Sequence, residues 1–103
     1  MSRFARHVDG NQTVIVAALR QVGALVQHLH TVGGGCPDLL VGFRKRLVLL
    51  EVKDPTQKPS DRKLNEAEQK FHALWKAAGL PVFVVENVEQ ALEAIGLAGK
   101  EGA

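Results

Sequence analysis

Two short apolar runs separated by only two residues restrict the fold of this chain more than any other feature. The runs at residues 37–43 and 46–53 are rich in Leu and Val, and Arg44 and Lys45 lie between them. Strand-like runs joined by so short a loop predict an antiparallel β-hairpin. The short loop also sets the register, so that each residue of one strand has a defined partner on the other.

That register places Asp38 directly opposite Glu51 on the neighbouring strand. Side chains in such a pair have β carbons about 4.5 to 5.5 Å apart, and two like charges at that distance repel each other. A divalent cation between the acids removes the repulsion, because Mg²⁺ is typically held by one or two carboxylates and keeps several water molecules. A bound water can then be activated as a nucleophile.

Lys53 follows Glu51 by two residues in the second strand of the hairpin. Strand side chains alternate between faces, so Lys53 is predicted to lie beside the same metal. Its ammonium group can orient the attacking water or neutralise charge that develops on a phosphate. The alternative is a surface salt bridge between Glu51 and Lys53, with Asp38 as a turn residue, and the spacing alone does not decide between the two.

The remainder of the chain predicts an α/β domain, a mixed sheet flanked by helices with the element order αβββαβα. The spacing of the apolar residues predicts three helices, at 12–22, 65–78 and 88–95, and two further strands, at 24–30 and 81–85. Residues 54–63 contain two prolines and many polar groups, so a mobile, irregular loop is expected there, with the role of a lid as one explanation. The glycines at 33–35 predict another loop.

The second predicted helix has two distinct faces. Its apolar stripe, which marks the helix as amphipathic, consists of Ala67, Phe71, Leu74, Trp75 and Ala78. A separate polar stripe consists of Asn65, Gln69, His72 and Lys76. This polar face is either turned toward the proposed metal or an ordinary solvent-facing side.

The composition fits one domain that spans the whole chain. A length of 103 residues with 46% hydrophobic content allows a single core, and residues 1–10 and 97–103 are expected to be flexible ends. The single cysteine, Cys36, excludes an intrachain disulfide, and its surroundings favour a small residue beside a turn over a nucleophile. Neither a signal-peptide core nor a membrane-spanning apolar run is present, so a cytoplasmic protein without membrane contact is expected.

The positive residues are grouped although the formal net charge is only +2. Besides Arg3 and Arg6, there are two clusters, one at the hairpin loop and one in the polar stretch after it: Arg44, Lys45 and Arg46, then Lys58, Arg62 and Lys63. Such clusters suit a polyanion such as DNA, and a solvated surface is the alternative. We predict that the residues of these two clusters bind DNA.

Two further observations concern a known family. The stretch Gly35-Cys-Pro-Asp38, followed thirteen residues after Asp38 by Glu51-Val-Lys53, resembles the PD-(D/E)xK signature of the restriction-endonuclease-like superfamily. Residues 65–72, the Lys-Ala-Ala-Gly79 ending and the Val-Phe-Val-Val85 strand resemble the VRR-Nuc family of that superfamily, found in phage and repair nucleases. The resemblance covers about residues 11–95 and has the same order of elements.

This resemblance implies cleavage of DNA that depends on Mg²⁺ or Mn²⁺. It implies that Asp38 and Glu51 are metal ligands, that the main-chain carbonyl of Val52 is a further ligand, and that Lys53 is the catalytic lysine. It also assigns an active-site role to Gln69.

One position departs from the family pattern. Members often carry a glutamate on the first helix that helps the metal site, and this chain has none there. Gln12 is one candidate for that position, and Asp9, just before the helix, is another. Asp9 followed three residues later by Gln12 also resembles a capping box, so a structural role for Asp9 stays open. His72 is a further accessory candidate.

Three functions follow from these observations. The first is an endonuclease for branched or structured DNA, because phage members of the family resemble Holliday junction resolvases, and a phage gene in a bacterial host fits this expectation. Two symmetric cuts are most simply made by a homodimer. The second is a nucleic-acid-binding module that keeps the nuclease fold without turnover. The third is a small structural or regulatory protein with no role on DNA.

Overall fold

The predicted hairpin is present and organises the sheet. In the computed structural model, which describes residues 10–97, strands β2 (Leu39–Phe43) and β3 (Arg46–Val52) pair antiparallel. Phe43 faces Arg46 and Leu39 faces Leu50, so the predicted register is confirmed. The two loop residues have positive φ angles of 50° and 67°, the backbone conformation of a type I′ turn, whose twist matches that of the flanking strands.

Two more strands complete a four-stranded mixed sheet of order β1-β2-β3-β4. Strand β1 (Leu25–His28) pairs antiparallel with β2, and β4 (Val82–Val85) pairs parallel with β3. A parallel neighbour requires a crossover connection, and helix α3 (Glu66–Ala77) lies in that connection. The predicted α/β class with a mixed sheet flanked by helices is therefore confirmed.

Helices α1 (Gly10–Gln21) and α4 (Val88–Ala94) enclose the core on one face of the sheet. Alternate residues of the central strands point to these helices, which is why β2 and β3 are rich in Leu and Val. The innermost side chains are Ile15, Leu19, Leu39, Val41, Val48, Leu50, Val85 and Ile95. Of the ends expected to be flexible, 1–9 and 98–103 lie outside the described residues, whereas Gly10 begins α1 and Leu97 packs against the core.

Part of the polar stretch at 54–63 is helical, which corrects the prediction of an irregular loop. A short helix, α2 (Pro59–Arg62), begins at Pro59, whose fixed φ suits the first helical position. The element order is therefore αβββααβα. Arg62 Nη1 lies 3.5 Å from Glu86 Oε2, so the stretch is also tied to the end of β4.

The apolar stripe of helix α3 does not face the core, and of the polar stripe only His72 is buried. Leu74 is 62% exposed and Trp75 44% exposed, while His72 is only 5% exposed. The interpretation of His72 as a solvent-facing residue is therefore wrong. Phe71 stacks on Trp75 with 5.3 Å between the ring centroids, so part of the apolar stripe packs on itself.

Within residues 10–97, no helix is long and apolar enough to cross a membrane.

Candidate active site at the end of the central hairpin

Asp38 lies directly before β2, at the end of the hairpin that is far from the turn. Its main-chain carbonyl accepts a hydrogen bond of 2.7 Å from the N–H of Leu29, and its Oδ2 accepts one of 2.8 Å from the N–H of Val52. The strand ladder ends at the pair Leu39 and Leu50, and Asp38 and Glu51 are the next positions along it. The carboxylate of Asp38 is therefore held at the end of β3, beside Glu51.

Glu51 is a buried acid, with 4% of its surface exposed. Its Oε2 lies 3.4 Å from Lys53 Nζ, and its buried Oε1 has no hydrogen-bond partner among the described residues. Burial first, and then the negative charges of Asp38 and Glu68, raise the pKa of Glu51 to about 8, against the opposing effect of Lys53. A buried carboxyl in this condition is stabilised either by a proton or by a further cation.

Lys53 lies between two carboxylates from different elements. Its Nζ is 3.4 Å from Glu51 Oε2 and 3.2 Å from Glu68 Oε1. Burial acts to lower the pKa of Lys53, but the charge of Glu51 and the hydrogen bond and charge of Glu68 outweigh it and raise that pKa. Lys53 is therefore an ammonium ion at neutral pH, which suits it to stabilise negative charge and not to accept a proton.

The backbone around Lys53 is fixed from two sides. Its N–H donates to the carbonyl of Val85 at 3.0 Å, and its carbonyl accepts a hydrogen bond of 2.9 Å from Asn11 Nδ2. The same Asn11 nitrogen lies 3.2 Å from the carbonyl of Glu86. Helix α1 and strand β4 thus hold the main chain at the residue whose side chain meets the acids.

Glu68 belongs to this cluster although the sequence reasoning did not single it out. It occupies the third position of α3, and its Oε1 accepts a hydrogen bond of 3.0 Å from the N–H of Asn65. The Asn65 side chain accepts one of 2.8 Å from the N–H of Glu68, which completes a capping box. Asparagine followed three residues later by glutamate, just before a helical pattern, is the sequence signal for this arrangement.

The accessory candidates differ in how far they are buried and in their contacts. Gln12 is 4% exposed, and its Nε2 is a buried atom without a hydrogen-bond partner among the described residues, whereas Asp9 lies outside them. His72 is buried on the inner side of α3, and burial first, then the nearby Lys76, lower its pKa. Gln69 is exposed, and its Nε2 donates to the carbonyl of Leu64 at 2.9 Å, so the structure does not bring it into the cluster.

Cys36 lies close enough to the two motif acids to be influenced by both. Burial, followed by the charges of Glu51 and Asp38, raises the pKa of its thiol. Reactive cysteines have lowered pKa values, so this thiol is not set up as a nucleophile.

The donor groups at this end of the sheet fit a hard divalent cation. Asp38 and Glu51 supply carboxylate oxygens, and Oε1 of Glu51, a buried atom without a partner in the described part of the chain, is one that a cation would satisfy. Across residues 10–97, no group of three His, Cys, Asp or Glu side chains is arranged to hold a metal. Carboxylate oxygens are ligands that Mg²⁺ and Mn²⁺ prefer, so the donor set of Asp38 and Glu51 suits these ions.

The six basic residues predicted to bind DNA occupy two separate places. Arg44 and Lys45 are exposed in the hairpin turn, which lies about 20 Å from Glu51 along β3 because strands rise about 3.3 Å per residue. The guanidinium carbon of Arg44 lies 4.7 Å from the ring centroid of Phe43. Arg46 instead caps α4, with its Nη2 donating to the carbonyl of Ala94 at 3.2 Å.

The second basic group follows Lys53 along the chain and lies in and beside α2. Lys58 and Lys63 are exposed on either side of α2, and Arg62 is paired with Glu86. In each group one arginine already has a partner within the fold, and the three lysines and Arg44 are exposed.

A mixed sheet flanked by helices, with two acids and a lysine meeting at the end of its central hairpin, is the arrangement of the restriction-endonuclease-like class. No family model matches the sequence, and a search of curated proteins finds no match. Among solved structures, one described as "VRR_NUC domain" is similar to this chain, with 29% sequence identity and a TM-score of 0.61. The match covers 85% of this chain and 96% of that one.

The chain therefore has the fold of the VRR-Nuc family of nuclease domains, which confirms the resemblance found in the sequence.

Proposed function

We propose that this chain is a metal-dependent endonuclease that hydrolyses phosphodiester bonds in DNA at the cluster of Asp38, Glu51 and Lys53. The observation that carries the proposal is the condition of Glu51, a buried carboxyl beside a second acid, with one oxygen that lacks a hydrogen-bond partner among residues 10–97. The ionised form of such a carboxyl is costly for the fold unless a cation is bound beside it. The VRR_NUC match gives independent support for a nuclease.

Asp38 and Glu51 would hold the metal, with the carbonyl of Val52 as a further ligand. A bound Mg²⁺ or Mn²⁺ supplies an activated water and polarises the phosphate. Asp38 is already oriented for this task, because the N–H of Val52 fixes one of its carboxylate oxygens. Gln12 is buried, and its amide nitrogen has no partner within residues 10–97, so it is our candidate for the position where the family often has a glutamate, with Asp9 as the alternative.

Lys53 would stabilise the negative charge that develops on the phosphate. Its pKa is raised, so it carries its positive charge throughout the neutral range. Phosphoryl transfer depends mainly on positioning and on this kind of electrostatic stabilisation. We also propose an active-site role for Gln69, from the family resemblance, and an accessory role for His72, from the polar stripe. Of these two residues, His72 is the buried one.

The exposed basic residues would bind the phosphate backbone of the DNA. Lys58 and Lys63 follow the active site along the chain, and Arg44 and Lys45 lie at the far end of the hairpin. A substrate that reaches from Glu51 to the turn must span about 20 Å, which is about six nucleotide steps of B-form DNA. Branched or otherwise structured DNA is our proposed substrate, and a two-fold homodimer would make its two symmetric cuts.

The test uses a synthetic four-way junction and a linear duplex of the same sequence, each incubated with Mg²⁺ or Mn²⁺. We expect the wild type to cut the junction, and the variants Asp38→Ala and Glu51→Gln to leave it intact. Thr56→Ala, on the exposed loop, is the matched control and should cut normally. Equal cutting by wild type and Asp38→Ala would refute the proposal. Light scattering at micromolar concentration should give the mass of a dimer.

A DNA-binding module without turnover is the second candidate, and Gln12 is the observation that favours it. If Gln12 takes the position where relatives often carry an acid, a neutral amide replaces a negative charge there and would weaken the metal site. This candidate predicts DNA binding that falls with salt concentration, and no cleavage in any divalent metal. Gln12→Glu separates the two, because it should create or increase cleavage only if metal affinity is the missing element.

A further inference from the structure

One acidic side chain outside the PD-(D/E)xK motif touches the lysine of the motif. Glu68 Oε1 lies 3.2 Å from Lys53 Nζ, and both side chains are mostly buried, at 16% and 14% exposed. Glu51 approaches the same ammonium group from the sheet at 3.4 Å. The ammonium group is therefore held between a strand and a helix. Removal of either acid would allow it to move to other positions.

We propose that Glu68 is a positioning residue that holds the ammonium group of Lys53 against Glu51. The value of that position for DNA cleavage rests on the proposed function, whereas the position itself is a property of the fold. Glu68 does not need to contact DNA or metal for this role, because it acts through Lys53.

The position of Glu68 is itself fixed by the way in which α3 begins. Its Oε1 accepts a hydrogen bond of 3.0 Å from the N–H of Asn65 as well as the one from Lys53. In a capping box the side chain at the third helical position reaches back to the residue before the helix, so few rotamers are open to it. One carboxylate oxygen thus connects the first turn of α3 to the catalytic lysine.

The loop with glycines 33–35 packs against the same first turn of α3. Gly35 has a φ of +83°, and a β carbon built on it would lie 2.3 Å from the carbonyl oxygen of Ala67 and 2.9 Å from the nitrogen of Glu68. Only glycine allows the loop to approach the helix backbone so closely. The loop that precedes Asp38 and the helix that carries Glu68 therefore fit against each other, which links the two halves of the site.

Four substitutions separate position from charge. Glu68→Gln keeps an acceptor oxygen at the same distance and removes the charge, whereas Glu68→Asp keeps the charge and withdraws it by about 1.5 Å, one carbon–carbon bond. Glu68→Ala removes both. Glu66→Ala is the matched control, because Glu66 is an exposed acid in the same turn of α3.

The direct measurement is the ammonium signal of Lys53 in ¹H–¹⁵N spectra of the metal-free, DNA-free protein, identified by its absence in Lys53→Arg. Hydrogen bonds to two carboxylates slow the exchange of these protons with water, so the signal should be visible in the wild type. We expect it to persist in Glu68→Gln and Glu66→Ala and to disappear in Glu68→Asp and Glu68→Ala. An unchanged signal in Glu68→Asp, or its loss in Glu66→Ala, would overturn the proposal.

Cleavage kinetics give the second readout. Misplacement of a catalytic group by about 1 Å can cost on the order of 100-fold in rate, so Glu68→Asp and Glu68→Ala should lower kcat by tenfold or more with KM for DNA unchanged. Glu68→Gln should restore most of kcat, and a Glu68→Gln variant as slow as the alanine variant would contradict the positioning role. If the ammonium signal behaves as expected while no variant cuts DNA, the positioning stands and the proposed nuclease function fails.

Discussion

The carboxylate of Asp38 accepts a hydrogen bond from the main-chain N–H of Val52, with 2.8 Å between Oδ2 and N. The bond joins the residue before β2 to the last residue of β3. It therefore closes the open end of the hairpin, and it also fixes the orientation of Asp38 beside Glu51.

Asp38→Asn separates these two roles. The amide oxygen can still accept the hydrogen bond from Val52, while the negative charge that raises the pKa of Glu51 is gone. We expect a metal-free melting temperature at pH 8 at least as high as that of the wild type, and a loss of cleavage of about 100-fold or more, because a bound metal supplies several kcal/mol of charge stabilisation. Calorimetry and a junction-cleavage assay measure the two effects.

Asp38→Ala is the contrasting variant. It leaves the N–H of Val52 without its partner, which costs about 1–3 kcal/mol for a buried donor. It should therefore lose stability as well as cleavage. If Asp38→Asn were destabilised as much as Asp38→Ala, the charge of Asp38, and not its hydrogen bond, would be what the fold requires.

The pH dependence of stability should reveal Glu51 in the metal-free protein. Its pKa is raised from 4.5 to about 8, so between these values the folded state binds a proton that the unfolded state has released. The stability from this group is complete below pH 4.5 and is lost as the pH rises to about 8, by at most about 1.4 kcal/mol per pH unit. Urea unfolding with a chelator present, at half-unit steps of pH, measures the slope.

His72 has the opposite effect on the pH dependence of stability, which narrows the pH range in which the effect of Glu51 can be measured. Its pKa is lowered from 6.5, so the folded protein gains stability from it as the pH rises toward 6.5. The Glu51 effect is therefore cleanest between pH 6.5 and 8, and Glu51→Gln should flatten the curve there. Mg²⁺ or Mn²⁺ should stabilise the wild type more at pH 8 than at pH 6, because binding requires the ionised carboxylate. If the slope of unfolding free energy against pH persists in Glu51→Gln, another titratable group causes it.

The register of the hairpin could be predicted from sequence because its loop has only two residues. So short a turn fixes which residues of the two strands pair, and the observed pairs agree with it. The same register brings Asp38 beside Glu51, one position beyond the last pair of the ladder. The same reasoning predicted that Lys53 lies on the face of Glu51, and the contact of 3.4 Å between their side chains confirms it.

The orientation of α3 could not be predicted in the same way. Its apolar stripe is as regular as that of a core helix, but α3 begins over the acids and lysine of the site, where charged side chains need polar partners. Glu68 and His72 therefore take the inner side, and Leu74 and Trp75 are left exposed. Helical periodicity shows that two faces differ and does not show which of them meets the sheet.

Glu68 was missed for a related reason. A capping box is a local pattern, and it predicts where a helix begins without indicating what lies across from it in space. The contact with Lys53 depends on how the crossover between β3 and β4 sets α3 onto the sheet. Helix α2 was missed because two prolines in a polar stretch favour a loop, although Pro59 suits the first turn of a helix.

Glycines 34 and 35 offer a matched pair for testing the contact between the loop and α3. Both have positive φ angles, +67° and +83°, so alanine at either position bears a similar backbone cost of about 1–2 kcal/mol. A β carbon at Gly34 meets nothing within 4 Å, whereas one at Gly35 lies 2.3 Å from the carbonyl oxygen of Ala67.

Gly35→Ala should therefore lose on the order of 3 kcal/mol or more in total, which is the range of severe steric changes, and Gly34→Ala only the backbone cost. Urea unfolding measures both. The displaced turn also carries Glu68, so Gly35→Ala should cut DNA more slowly than Gly34→Ala under conditions where both are folded. Equal losses of stability in the two variants would show that the loop yields without moving the helix.

The hairpin turn tests whether the distant basic group binds DNA. Arg44 and Lys45 both have positive φ angles, a conformation that Asn and Gly adopt with less strain. Replacing them together by Asn-Gly should raise the stability by about 1 kcal/mol while removing two charges. If both charges contact phosphates, the slope of log affinity against log salt should fall by about 1.8, since each contact to B-form DNA contributes about 0.9.

Arg46 must be left in place in this experiment. Its guanidinium group donates to the carbonyl of Ala94, and its side chain packs within 3.4 Å of the position that a β carbon on Gly96 would occupy. Replacement of all three basic residues by alanine would therefore weaken the end of α4 and confuse lost binding with lost folding. Unchanged DNA affinity and salt slope in the stabilised double variant would exclude the turn from the DNA interface and leave Lys58 and Lys63 as the candidate phosphate contacts.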